Sequence, residues 1–291
     1  LLPSLLSASI NDIVLRQLTA TLPGLLCPVL DIVVNLVNIQ LLATLNLVTP
    51  VGTAGTVHYQ LANSPFASSL YLRLDLNGLV KQVGGSIIPH DSSPCVLPPL
   101  LDKLMVMGVH QSFLNAVLSL MIQIPPQTFS CTPDVFSSAS HLQEAIMSLV
   151  SSGCSTCPGT SGLSLKLMLS GNPLILLVEN KATIQLSVLI QVFIKRLDGP
   201  NINLLLLKAD LLLNVRVSVT GGRLVLGLSL GSTALSLESS EVGIINVSIL
   251  KPHCNSLLVE TLLPLLNGAL RIGIPLPKVL GIAFVRVAIQ I

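Results

Sequence analysis

Residues 174–198 read LILLVENKATIQLSVLIQVFIKRLD. From Ala182 to Lys195 the pattern is that of a strand. Ile184, Leu186, Val188, Ile190, Val192 and Ile194 share one face, because strand side chains alternate with period two. The other face carries Thr183, Gln185, Ser187, Leu189, Gln191 and Phe193. At roughly 3.3 Å per residue the segment spans about 46 Å, far longer than the usual strand of about five or six residues. An aliphatic face of that length needs an equally long apolar partner.

Composition narrows the choice of partner. Of the 291 residues 51% are hydrophobic and 10% charged, and the apolar share is aliphatic, with six Phe, two Tyr and no Trp. The net charge of +2 leaves no electrostatic footprint for nucleic acid. No basic cluster exceeds the pair Lys195-Arg196, so the sequence shows no polybasic membrane patch. A membrane-spanning helix needs about twenty apolar residues. The best uncharged run, after Asp31, is interrupted by Asn35, Asn38, Gln40, Thr44 and Asn46. An outer-membrane barrel would show aromatic girdles, and aromatics make up only 3% here.

LLPSLLSASI at the start lacks a basic lead-in, and helical periodicity continues past it, so it reads as mature protein or a fragment. Six cysteines and the sequon Asn246-Val247-Ser248 lean towards secretion and glycosylation at Asn246.

Periodicity predicts helix over residues 1–48, interrupted at Pro23-Gly24 and reopened at Pro28. Strands are expected at Thr56–Ala62 and Leu70–Leu76. The Gly-, Pro- and Ser-rich stretch 84–99 is the best linker candidate. A helix is expected at Leu101–Ile122 and a shorter one at Ser138–Ser151. Seven strands then follow, at 163–170, 173–179, 182–195, 202–219, 222–231, 233–239 and 242–250. Helix resumes from about Asn255 to Leu270, with Asn255 or Ser256 as N-cap and a kink at Pro264. A final strand is expected at Ile282–Ile291. Consecutive strands without intervening helices argue for antiparallel pairing and an α+β class, a long, strongly twisted antiparallel sheet wrapped on amphipathic helices.

No motif carries catalysis, and the reading is of a protein that is not an enzyme and needs no cofactor or metal. Cys154-Ser155-Thr156-Cys157 is a C-x-x-C, but a strand pattern follows it where a redox site wants a helix. Zinc would need two further ligands at matching spacing, so loop disulfides are the favoured reading. His58, His90, His110, His141 and His253 fall in no metal or nucleophile motif. The surplus of aliphatic surface remains. It suits a wall for acyl chains, where burying twelve methylenes contributes on the order of 10 kcal/mol before ordering losses.

Four segments resemble the bactericidal/permeability-increasing (BPI/LBP/PLUNC) family. The tail RIGIPLPKVLGIAFVRVAIQI and the helix LLVETLLPLLNGAL before it look like that family's end. LLCPVLDIVVNLVNIQLLATLNLVTPVGTAG resembles the helix and turn closing its first barrel. LYLRLDLNGLV resembles a central-sheet strand, and MVMGVHQSFLNAVLSLM the opening helix of its second domain. The nearest likeness is to the long PLUNC (BPIFB-like) branch.

The resemblance implies an elongated BPI-like half-barrel. Residues 1–88 would be the end of a first domain plus central-sheet strands, 89–100 a linker and 101–291 the C-terminal domain. It implies that Cys27 pairs with a cysteine upstream of this chain. It implies a secreted protein whose partners are phospholipid, fatty acid or another hydrophobic small molecule, with membrane or bacterial surface lipid as further partners. Roles would lie in mucosal defence or the carriage of odorants and lipids. The apolar pocket would be lined by Val106, Val109, Phe113, Val117, Met121, Leu258, Leu262 and Leu266. The basic N-terminal tip that binds lipopolysaccharide in some members is not in this sequence. Two other readings remain open: a surfactant without a closed pocket, and a structural module that binds only protein.

Overall fold

The computed structural model describes residues 47–68, 70–150, 162–279 and 282–291, with scattered positions between 15 and 39. The chain divides into two compact units, residues 1–47 with 277–283 and residues 48–276 with 284–291. In the first unit every described position between 15 and 39 is helical. Gly24, expected at a break, is helical too. A helical glycine costs only about 1 kcal/mol relative to alanine; its neighbour Pro23 lies outside the described residues.

Among its described residues the second unit holds two larger antiparallel sheets and one of two strands. The smaller of the larger two has the order β1-β2-β5-β6, from β1 (Val48–Val51), β2 (Gly55–Leu61), β5 (Leu76–Gln82) and β6 (Ile87–Ile88). Between β2 and β5 a small hairpin pairs β3 (Phe66–Ala67) with β4 (Leu72–Arg73). The expected strand Leu70–Leu76 is therefore broken in two. The Ser68 hydroxyl accepts the Leu70 and Tyr71 N–H groups, which turns the chain before any long pairing can form.

The larger sheet has the order β12-β11-β10-β9-β8-β7. Its strands are β7 (Gln127–Ser130), β8 (Leu163–Val178), β9 (Lys181–Ile194), β10 (Ile202–Thr220), β11 (Arg223–Ser240) and β12 (Ile274–Pro275). The quoted segment supplies β9, and its six aliphatic residues from Ile184 to Ile194 are all buried. Two expected strand pairs have merged, 163–170 with 173–179 and 222–231 with 233–239. Their breaks survive as register shifts, at Ser170/Leu174 and at Leu212/Leu213 opposite β11. Such bulges add local twist and bend without ending a strand, and Gly171, at φ 80°, takes the conformation the first one needs.

Among the described residues of this unit four α-helices form, α1 (Gln111–Met121), α2 (Ala139–Val150), α3 (Lys251–Leu257) and α4 (Leu263–Leu270); α1, α3 and α4 pack on the sheet, and α2 packs on α3. The expected helix from Leu101 begins only at Gln111. Leu101 has φ 47°, and the His110 ring caps the helix by accepting the Ser112 N–H at 3.2 Å. Gly108 lies so close to Cys95 and Leu97 that a side chain there would meet both. That packing fixes an irregular approach in place of helix, extended at His110.

The expected strand 242–250 is a loop ending in a 3₁₀ turn, Val247–Ile249, capped by Asn246. The last helix starts at Lys251, before either expected cap, with Pro252 in its first turn. Between α3 and α4 it widens into a π-helical stretch, Leu258–Leu262. Pro264 has no N–H to give the Glu260 carbonyl, and an inserted residue in the turn before it absorbs the mismatch. The expected final strand does not form among the described residues of 282–291. Arg286 sits at φ 53°, which breaks the extended run, and Ile291 contributes only a carbonyl that accepts the Asn180 N–H at 3.0 Å. No described helix is long and apolar enough to cross a membrane.

Candidate functional site

The apolar faces of α1 and α4 meet opposite margins of the large sheet. Helix α1 lies on β8 and on β5 of the smaller sheet, and α4 lies on β11. Phe113, Leu114, Ala116, Val117, Leu118, Leu120 and Met121 of α1 are buried. So broad an apolar arc is the mark of a helix enclosed on more than one side. Leu257, Leu258, Leu262, Leu263, Leu266 and Leu270 bury the corresponding face of the last helix.

Of the eight residues expected to line a pocket, six lie on these helices: Phe113, Val117, Met121, Leu258, Leu262 and Leu266. All six are buried in one continuous cluster with the inner face of β8–β11. Val109 packs partly against that cluster, whereas Val106 stands outside it. Both precede α1, on the irregular approach to it. Phe113 is held from the other side: its ring packs on Tyr59 with centroids 5.9 Å apart, and edge-on to His90 at 5.7 Å. Gly78 leaves the space for it, since a side chain there would collide with the ring. The Tyr59 hydroxyl donates to the Pro275 carbonyl at 2.5 Å, and burial raises its pKa far above the ordinary tyrosine range. Phe113 is thus an anchor between the two sheets.

Polar residues hold the helices to the sheet margins, and the apolar reading of the sequence passed over them. On α1, Asn115 Oδ1 accepts the Ile175 N–H at 2.6 Å and Gln111 Oε1 accepts that of Leu177 at 3.1 Å. Positions four apart rise about 6 Å along a helix, and positions two apart about 6.6 Å along a strand. The two carboxamides therefore match successive outward N–H groups of β8. On α4, Asn267 Oδ1 accepts the Leu228 N–H at 2.8 Å, and its Nδ2 donates to the Leu228 carbonyl at 3.1 Å. The signal available in the sequence was an amide at four-residue spacing on an otherwise aliphatic helix.

A further clamp joins the turn before α2 to the π-helical stretch. Ser137 N–H and Oγ–H and Ser256 Oγ–H all donate to the Glu260 carboxylate, at 2.8, 2.6 and 2.7 Å. Those hydrogen bonds, Ser137's first, hold the Glu260 carboxyl below the usual glutamate range. A shallow groove of about 450 Å³ runs along β11 beside α4, edged by Arg216, Gly227 and Arg271 and floored in part by Leu226 and Leu228. It includes none of the eight expected residues. The expected loop disulfides of Cys154 and Cys157, and Cys27, lie outside the described residues.

Residues 51–291 match the model of the LBP/BPI/CETP family, C-terminal domain. The chain belongs to this family. It is 31% identical to mouse BPI fold-containing family B member 3, covering 100% of this chain and 62% of that protein. It is 28% identical to human BPI fold-containing family B member 4, over 91% of this chain and 45% of that protein. These similarities are to the PLUNC branch, and the chain spans about three fifths of the length of the family B member 3 relatives it matches. The crystal structure of lipopolysaccharide binding protein shares the fold, with a TM-score of 0.55 over 94% of this chain and 60% of that one, at 16% identity. The long antiparallel sheet with few helices is therefore a BPI fold, as the resemblance implied.

Proposed function

We propose that the chain acts as a secreted, non-enzymatic binding protein for lipids or other hydrophobic ligands, with a role in mucosal innate defence or in odorant and lipid carriage. The observation that carries this reading is the convergence of α1, the π-helical stretch and α4 on one aliphatic sheet face. The hydrogen bonds that orient α1 and α4 lie at the sheet margins. Between the margins the contacts are alkyl against alkyl, which an acyl chain can replace with little directional loss. Membership of the LBP/BPI/CETP family supports the same ligand class, and a relative named bactericidal permeability-increasing protein, 24% identical, supports defence. The ligand would lie among Val106, Val109, Phe113, Val117, Met121, Leu258, Leu262 and Leu266. Residues 1–88 would complete a first BPI-like domain, 89–100 would link, and 101–291 would form the second. The sequon at Asn246 would carry a glycan, since its side chain is exposed at the start of the 3₁₀ turn.

The test is to recover the protein from the medium of secreting cells, extract it with organic solvent and titrate it with a fluorescent fatty acid. Co-extracted lipid and roughly micromolar saturable uptake are expected. A protein that yields no lipid on extraction and takes up no fluorescent fatty acid defeats the reading.

One observation favours a second reading, an interfacial protein. Leu70, Val96, Leu101, Leu104, Leu197 and Ile244 are each more than 80% exposed. Strong lowering of surface tension without stoichiometric ligand binding would select it.

A further inference from the structure

Two buried cysteines share a seam that the lipid reading does not use. Cys131 follows β7 and is 2% exposed, and Cys254 lies in α3 and is 1% exposed. Helix α2 packs on α3 along this seam. His141 of α2 stacks on His253, with ring centroids 5.8 Å apart and planes within 6°. Two residues after Cys254 in the chain, the Ser256 hydroxyl meets that of Ser137 at 3.1 Å, and both reach Glu260. These contacts tie the residues flanking Cys254 in the chain, His253 and Ser256, to the loop that carries Cys131 and to the helix that follows it. The Cys131 thiol donates to the Ala139 carbonyl at 3.3 Å, two residues before the stacked His141. Burial pushes the Cys131 thiol up to about 11 and the Cys254 thiol up to about 12, and Cys254 also feels the Cys131 sulfur. Cys95 is different: it is part-exposed, and the charge it feels is that of Asp75.

We propose that Cys131 and Cys254 form a disulfide in the mature protein, stapling the loop between β7 and α2 to α3. The two thiols lose two protons and two electrons as the S–S bond forms. The acceptor is another disulfide, such as oxidised glutathione, whose own S–S bond is reduced to two thiols. Thiolate is the attacking species, and the closed seam suppresses it, so the bond forms before α2 docks on α3. The inference goes beyond lipid binding and does not depend on it.

The full chain refolded in a glutathione redox buffer, then denatured in iodoacetamide and digested without reductant, gives the test. One linked peptide pair containing Cys131 and Cys254 is expected, released by dithiothreitol. Alkylation of both cysteines, or linkage of either to Cys27, Cys95, Cys154 or Cys157, overturns the proposal. A second measurement uses Cys131→Ala, Cys254→Ala and the double variant. The closed loop is long, so each single variant should lower Tm by about 10 °C under oxidising conditions. The double variant should lose about as much as either single one, because one bond is lost in every case. Additive losses would count against the bond, and should the variants not fold, the peptide map decides alone.

Discussion

The two margins of the large sheet are finished in different ways. At the β8 margin, β7 pairs with the first part of the strand, and beyond the Gly171 bulge two carboxamides of α1 take over by accepting two N–H groups. At the β11 margin, β12 pairs with only Arg223 and Leu224, and a single Asn267 then both accepts from and donates to Leu228. The first arrangement spreads its bonds over two residues. The second concentrates them in one side chain that imitates a neighbouring strand. Both answer the same problem, since an open sheet presents unpaired backbone groups to any other chain. The difference teaches that helix amides can end a sheet either by sharing the edge or by occupying one point of it.

The largest expected effect tests the apolar contact common to both margins. Leu266→Ala, in α4 on the β11 side, should destabilise the fold by about 2–5 kcal/mol through lost burial and a cavity, measured by urea unfolding. Val117→Ala, in α1 on the β8 side, should cost less because fewer methyl groups are removed. A larger loss for Val117→Ala would show that the β8 side bears more of the core.

Asn267→Ala comes next. It strands both the N–H and the carbonyl of the buried Leu228, at a cost of about 2–3 kcal/mol. Asn115→Ala should lose about 1–2 kcal/mol and Gln111→Ala about 0.5–1 kcal/mol, each stranding one donor. A double-mutant cycle on Gln111 and Asn115 should show coupling, because both seat the same helix on the same strand. Equal losses at Asn267 and Gln111 would erase the contrast between the margins.

The smallest effect concerns the Glu260 clamp. Its carboxyl is depressed in the folded state, so its stabilisation is present above the ordinary glutamate pKa, about 4.3, and is lost as pH falls through the lower folded value. Glu260 is fully exposed, so the drop in Tm below about pH 4 should be slight. Ser137→Ala should flatten it. An unchanged pH profile in that variant would show that the clamp contributes nothing.

Much of this architecture was legible in residue order. The alternation from Leu163 to Leu237 placed β8 to β11 within a residue or two, because a half-buried strand must alternate. The short helix at Ala139–Val150 was equally clear. Helix boundaries near special backbone conformations were not legible. The apolar spacing of Leu104 and Met107 continues that of α1, yet Leu101 and Gly108 commit their stretch to a non-helical path. The last ten residues alternate well but have no strand to pair with, and alternation is a necessary sign of a strand rather than a sufficient one. At the candidate site, six apolar residues were identifiable by helical phase. Gln111, Asn115 and Asn267 were not, because their importance depends on edge N–H groups more than thirty residues away.

By itself the sequence determined the α+β class, the aliphatic character of the inner faces and the absence of any catalytic motif, since these follow from local periodicity and composition. Only the tertiary structure decided which backbone groups lie unpaired at the sheet margins, and hence which amides must reach them. It also decided which cysteines share a seam. Both are matters of proximity between distant segments, and proximity is set by how sheet twist and helix packing settle together, a property no single stretch of chain carries.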